Sequence, residues 1–290
     1  MNRRNFTKTI ALGLGEVSVQ AQRPRRLKIG HTGITWGNNL EDAIQDVANL
    51  GYYGFETFGN VLEAWEAKGG LGQILDQNKL PLISGYCSSN LTDPTKRKDE
   101  IEKMVRWGNL IKKAGGKVSV MGPNGVNRTG YDFNAYKASI VAGLNETAKA
   151  LTDIGLTAVL HQHTGTCVET RDEVYAVMDA VDTRYMKFGP DVGQLAKGGS
   201  DPVQVIKDFL PLIRHVHLKD FSGGEHFVGY SPLGQGKVDV PTIVDLLDKS
   251  DNNMMIMVEL DPSPNMPLAA LETARISKAY LQKLGYSFRS

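Results

Sequence analysis

The chain has 290 residues, 41% of them hydrophobic and 22% charged, with a formal net charge of +1. That balance fits one large globular α/β domain, and a charge so close to zero leaves no basic footprint for nucleic acid or an anionic membrane surface. Its two cysteines, Cys87 and Cys167, form no CxxC or zinc-knuckle spacing, so they read as packed thiols.

At the start of the chain, Asn2-Arg3-Arg4-Asn5-Phe6-Thr7-Lys8 looks like a twin-arginine export signal, with Ile10 to Leu14 as a short apolar region and Val19-Gln20-Ala21 as a small-residue cleavage site. Glu16 interrupts the apolar part. The competing reading is a basic N-terminal tail on a cytoplasmic protein. Twin-arginine export carries proteins already folded, which suits an enzyme that takes up a metal before leaving the cytoplasm for the periplasm. No run of about 18 apolar residues occurs, so no helix is expected to span a membrane.

From Arg26 onward, short apolar runs alternate with helical periodicity. The runs are Leu27-His31, Gly54-Glu56, Leu80-Ser84, Lys117-Met121, Thr157-His161, Met186-Gly189, His215-Leu218 and Met254-Glu259. Between and after them lie the helical stretches Leu40-Leu50, Val61-Gln77, Lys96-Ala114, Asn134-Ile154, Arg171-Val181, Pro202-Leu212, Pro241-Leu247 and Leu268-Leu284. Eight strand–helix pairs in residues 26–290, after a tail of residues 1–25, predict a single (β/α)8 TIM barrel, a fold that typically takes about 250 residues. A doubly wound open sheet competes, but no GxGxxG follows the first run.

In such a barrel the chemistry lies at the C-terminal ends of the strands. Read in order, those ends offer His31, Glu56, Gly85-Tyr86, Met121-Gly122, His161 with His163, Asp191, His217 and Glu259. Four consecutive strands, the fifth to the eighth, therefore end on residues of metal-ligand type. Each has a plainer reading: Asp191 can order the Asp191-Val192-Gly193 turn, and His217 competes with His215, which shares its face of the strand. Glu259 is the strongest single case, because a carboxylate that ends so apolar a strand as Met255-Ile256-Met257-Val258 is costly to bury unless it is paired or bound to metal.

These residues carry a resemblance. His161-Gln-His-Thr-Gly-Thr166, Gly189-Pro-Asp-Val-Gly-Gln194, His215-Val-His-Leu-Lys-Asp220, Leu233-Gly-Gln-Gly-Lys-Val-Asp239 and Val258-Glu259 make residues 27–284 resemble the xylose isomerase-like TIM-barrel superfamily, the sugar isomerase/epimerase group. The resemblance implies one divalent metal held from strands five to eight, here by His161, Asp191, His217 and Glu259. Many epimerases and isomerases of the group have glutamate at the first of these positions. The histidine here is similar to the His-x-His-x-Gly-Thr of inosose dehydratase-like members, and a shifted gap would put His163 there instead. A mixed imidazole and carboxylate set suits manganese, cobalt, zinc or iron(II) better than calcium or magnesium.

The chemistry implied is that of a divalent ion acting as a Lewis acid on the carbonyl of a ketosugar or ketocyclitol while a neighbouring C–H loses its proton. Glu259 and His163 are the expected acid–base groups, with His161 an alternative to His163. The same enolate could instead expel a β-substituent, as in a dehydratase or lyase. His31, Trp36, Glu56, Tyr86 and Lys219 are the expected substrate contacts, and Arg128 is either an anion contact or solvated. A non-catalytic carbohydrate-binding barrel is a further alternative. An AP endonuclease-like nuclease is disfavoured, since only six histidines and no basic surplus are available. Barrels of this group often associate, which leaves room for a homo-oligomer.

Overall fold

The computed structural model describes residues 25–250, 252 and 254–290. The tail expected over residues 1–25, and with it the export signal, lies outside them except for Arg25, whose guanidinium donates to Asp245 Oδ1 at 2.7 Å. No described helix is long and apolar enough to cross a membrane.

Eight parallel strands form the main sheet: β1 (Lys28–Thr32), β2 (Phe55–Phe58), β3 (Leu82–Ser89), β4 (Val118–Pro123), β5 (Thr157–Leu160), β6 (Met186–Phe188), β7 (Val216–Leu218) and β8 (Met255–Val258). Their hydrogen-bonded order is β6, β5, β4, β3, β2, β1, β8, β7. The two edge strands then meet through parallel bridges between Phe188 and Ile213 and between Asp191 and His217. There the Arg214 amide donates to Phe188 O and the His217 amide to Pro190 O, each at 3.0 Å. The ring thereby closes as the expected (β/α)8 barrel.

Strands covered on both faces must be apolar throughout, and Ile256, Met257 and Val258 are all buried. The surrounding helices bury one stripe each. In Leu40–Asn49 the buried side chains are Leu40, Ala43, Ile44 and Val47, at the i, i+3, i+4, i+7 spacing of a helix face. Each large aliphatic side chain so buried contributes about 1.5–3 kcal/mol. Side-chain caps fix several helix starts, among them Asp132 on the Asn134 amide, Asp201 on those of Val203 and Gln204, and a Thr170–Glu173 capping box.

Three departures from the sequence expectation have local causes. The stretch expected as one helix over Val61-Gln77 is two, Gly59–Glu66 and Gly72–Gln77, because Gly69 and Gly70 take φ values of 93° and 82° that a right-handed helix cannot continue through. A short helix, Val192–Lys197, starts directly at Asp191, which caps it by accepting from the Gly193 and Gln194 amides. The segment after β7 forms a small antiparallel ladder of Asp220–Phe221 with Tyr230–Ser231. That ladder, with the loop after β8, builds a second apolar cluster of Phe227, Tyr230 and Leu260, flanked by Phe221, Met266 and Leu268.

Candidate metal centre

At the C-terminal end of the barrel, His161, Asp191 and His217 each direct one donor atom into a common space, all within 4.8 Å of one another. All three are buried. His161 Nδ1 lies 2.9 Å from Gly189 O. A carbonyl can only accept, so Nδ1 carries the proton and Nε2 keeps its lone pair. Nε2 is 3.9 Å from Asp191 Oδ2. Asp191 divides its own oxygens: Oδ1 accepts from the Gly193 and Gln194 amides, both at 2.9 Å, and Oδ2 is a buried atom with no aligned hydrogen bond. One carboxylate thus caps a helix with one oxygen and presents the other to the centre.

His217 sits between two carboxylates. Its Nε2 is 2.7 Å from Glu56 Oε1, and its Nδ1 is 3.0 Å from Glu259 Oε2, without an aligned hydrogen bond at Nδ1. Glu259 Oε1 is 2.6 Å from the ammonium of Lys219, which also lies 2.9 Å from Asp191 Oδ2 and 2.6 Å from Asp261 Oδ2. Lys219 is completely buried, with its Nζ 4.7 Å from the centre of the Tyr230 ring.

The protonation states follow from these neighbours. Burial opposes an imidazolium at His217, yet Glu259 and Glu56 outweigh it and hold its pKa well above the ordinary value. Burial likewise opposes the Lys219 ammonium, and Asp191, Asp261 and Glu259 together raise it well above its usual range. Burial alone would raise Glu259, but His217 and Lys219 keep it well below the usual carboxylate range. His161, desolvated beside His217, is pushed well down and stays neutral. Asp191 moves up, chiefly by burial, with Glu259 adding and Lys219 opposing.

The donor set fits a divalent cation. Four carboxylates, Glu56, Asp191, Glu259 and Asp261, face two cations, Lys219 and His217. Two negative charges therefore remain in a buried cluster, where Asp191 Oδ2 and His217 Nδ1 have ion-pair neighbours, Lys219 at 2.9 Å and Glu259 at 3.0 Å, but no aligned hydrogen bond.

The other expected site residues take varied places. His163 is half-buried and outside the converging group; its Nδ1 lies 2.9 Å from Thr164 O and its Nε2 2.6 Å from the Gln194 amide nitrogen. Tyr86 packs edge-on against His161, with ring centres 5.6 Å apart. His31 is buried between Trp36 and Tyr52, and burial lowers its pKa to about 4. The Trp36 indole donates to Asp46 at 2.8 Å. Glu56 is only 2% exposed and is committed to His217, His215 and Ser84. Arg128 clamps Glu173 at 2.8 Å and Glu169 at 3.4 Å.

Three participants escaped the sequence reading. Asp261 belongs to the Lys219 cluster, and its signal was its position two residues beyond Glu259. Gln194 engages both His163 and Thr164, and Ser84 donates to Glu56 at 2.5 Å. Asp220, next to Lys219, instead accepts from the Gly234, Gly236 and Val238 amides, which accounts for the Gly-x-Gly of the Leu233–Asp239 segment.

Comparison with known proteins agrees with this fold. Residues 44–283 match the sequence model of a family described as xylose isomerase-like TIM barrel. An inosose dehydratase from Clostridium botulinum (strain Alaska E43 / Type E3) is 30% identical over 284 residues, covering 84% of this chain and 93% of the relative. Among solved structures, D-psicose 3-epimerase with D-tagatose from Clostridium cellulolyticum H10 superposes with a TM-score of 0.73 at 16% identity, covering 91% of this chain and 100% of that one. The IOLI protein with a bound zinc atom gives a TM-score of 0.73 at 17% identity over 91% and 100% of the two chains. At those identities the two structures show a shared fold.

Proposed function

The chain belongs to the xylose isomerase-like TIM-barrel family and is an enzyme, and from that premise we propose that it removes a proton next to the carbonyl of a ketosugar or ketocyclitol bound at a divalent metal centre. The observation that carries this reading is the convergence of His161, Asp191 and His217 donor atoms within 4.8 Å in a volume left with excess negative charge. His161, Asp191 and His217 would hold the ion, with Glu259 as the fourth ligand beside them, and a manganese, cobalt, zinc or iron(II) ion suits that mixture of imidazole and carboxylate. The ion supplies Lewis acidity toward a substrate oxygen.

The chain's own residues do the rest. Glu259 is kept ionised by Lys219 and His217, and its Oε2, the oxygen not paired with Lys219, is the atom that accepts the substrate proton. Lys219, anchored by three carboxylates, fixes Glu259 and supplies positive charge beside the site. Tyr86, edge-on to His161, contributes an apolar wall. For His163 to serve as the second acid–base group, the Gln194 amide must leave its Nε2.

Loss of water or another β-substituent from the enolate is the outcome favoured over symmetrical epimerisation. Two observations support it: an imidazole, His161, stands where a second carboxylate would serve a two-base epimerase, and the 30%-identical relative bears the name inosose dehydratase. Export by the twin-arginine route belongs to the same proposal, supported by Arg3-Arg4 ahead of Ile10 to Leu14.

Proton NMR in deuterated water with a panel of ketosugars and inososes tests the reading. The expected result is exchange at the carbon next to the carbonyl together with an alkene or enone product, both lost on metal depletion and in Glu259→Gln. Turnover that survives both changes would overturn it.

A further inference from the structure

We propose that Glu56 is a positioning residue for the metal centre, in place of the substrate contact its strand-end position suggested: from β2 it fixes the His217 ring so that Nδ1 is the nitrogen presented to the ion. This rests on the metal-centre reading above. Glu56 and His217 are 161 residues apart in sequence, yet Oε1 and Nε2 lie 2.7 Å apart, a short charge-assisted hydrogen bond. An imidazole has two nitrogens. Once Nε2 is committed to a carboxylate, only Nδ1 can ligate, and Nδ1 is the nitrogen that faces Glu259 at 3.0 Å with no aligned hydrogen bond of its own.

Glu56 is itself held in place. Its Oε2 accepts from Ser84 Oγ at 2.5 Å and lies 2.8 Å from His215 Nε2. His215 and His217 are i and i+2 on one strand and so point to the same side. One buried carboxylate therefore spans two histidines of β7 and a serine of β3, and turning the His217 ring over would leave its Oε1 without the charge-assisted hydrogen bond it makes to Nε2. A group only 2% exposed and hydrogen-bonded on both oxygens within the barrel is directed at its neighbours and away from a substrate.

The test uses the full chain with Mn2+ and Zn2+ as probes. Binding isotherms are recorded for wild type, Glu56→Gln, Glu56→Ala and Asp191→Asn, and the His217 tautomer is read in the zinc-loaded wild type by 15N imidazole shifts. The expectation is a loss of metal affinity of about 10–100-fold in Glu56→Ala, an intermediate loss in Glu56→Gln, which can still accept from Nε2–H, and a His217 protonated at Nε2 only. Wild-type stoichiometry with Glu56→Ala binding within twofold of it overturns the proposal, as does an Nδ1–H tautomer in the zinc-loaded protein. If Glu56→Ala fails to fold, the glutamine variant and the wild-type tautomer decide. Failure of the metal-centre reading looks different: wild type and Asp191→Asn would then bind metal equally weakly.

Discussion

Lys219→Met isolates the electrostatic work of the buried lysine. Methionine keeps most of the aliphatic stem, which packs so closely on Gly193 that a Cβ there would come within 2.7 Å of Lys219 Cγ, so the packing loss is small. What disappears is the ammonium lying 2.6 to 2.9 Å from Glu259, Asp261 and Asp191. Removing one partner of a buried ion pair costs about 3–5 kcal/mol, because the other charge is left uncompensated. At about 2–4 °C per kcal/mol for a chain of this size, the melting temperature in chelator should fall by about 6–20 °C. The pH dependence has a definite sign. Asp191, already raised by burial, rises further without Lys219, and a carboxylate with a raised folded-state pKa destabilises above that pKa and ceases to do so once protonated. The deficit should therefore shrink as the pH is lowered into the acid range. Added Mn2+ should restore more stability to the variant than to wild type, since it supplies charge where the ammonium stood. Thermal melts followed by circular dichroism, with chelator and with Mn2+, measure all three. A variant that melts within about 2 °C of wild type in chelator, or that gains no more than wild type from Mn2+, would refute the account of Lys219 as the counter-charge of the centre.

Two other predictions concern the loop after β7 and the cysteines. A Cβ on Gly236 would lie 2.1 Å from Asp220 Oδ1, so Gly236→Ala should break the hydrogen bonds that Asp220 accepts from Gly234, Gly236 and Val238. The expected cost is about 1–3 kcal/mol, visible as faster amide exchange over residues 233–238 with unchanged protection in the β3–β4 pairing; slow exchange in that loop would count against it. Burial pushes both Cys87 and Cys167 up to about 12, so neither thiol should react with Ellman's reagent in the native protein at about pH 8, and both should react after unfolding. A single fast-reacting thiol in the native chain contradicts the packing described for it.

Much of the fold was legible because a parallel barrel imposes a repeating signal. Each strand is buried on both faces and each helix on one, so apolar runs and helical periodicity alternate whatever the function. The misread boundaries are those where single residues override periodicity. Gly69 and Gly70 divide a stretch whose apolar spacing looks continuous, since the pattern records which side is buried and not whether φ can stay negative. Val192–Lys197 was missed because Asp191 reads as a turn residue, and nothing in its sequence says that one oxygen caps a helix while the other serves the centre.

The site was legible to the extent that strand ends are legible. Position along a strand is written in the sequence, so His161, Asp191, His217 and Glu259 could be named as residues of one mouth. Depth and partner choice are set by how neighbouring and opposite strands bring side chains together, and no local pattern encodes them. Glu56 and His31 both read as strand ends in the sequence, yet one carboxylate bridges two histidines of β7 while the other residue packs between Trp36 and Tyr52. Lys219 shows the same limit from the side of charge. It was expected as a substrate contact and sits beside Asp220 in sequence, but alternation along the chain sends the two side chains in opposite directions. Asp220 goes to three backbone amides of its own loop and Lys219 to three carboxylates from the ends of β6 and β8. Only closure of the ring between β6 and β7 brings Asp191 close enough to Lys219 for one ammonium to serve both sides of the centre.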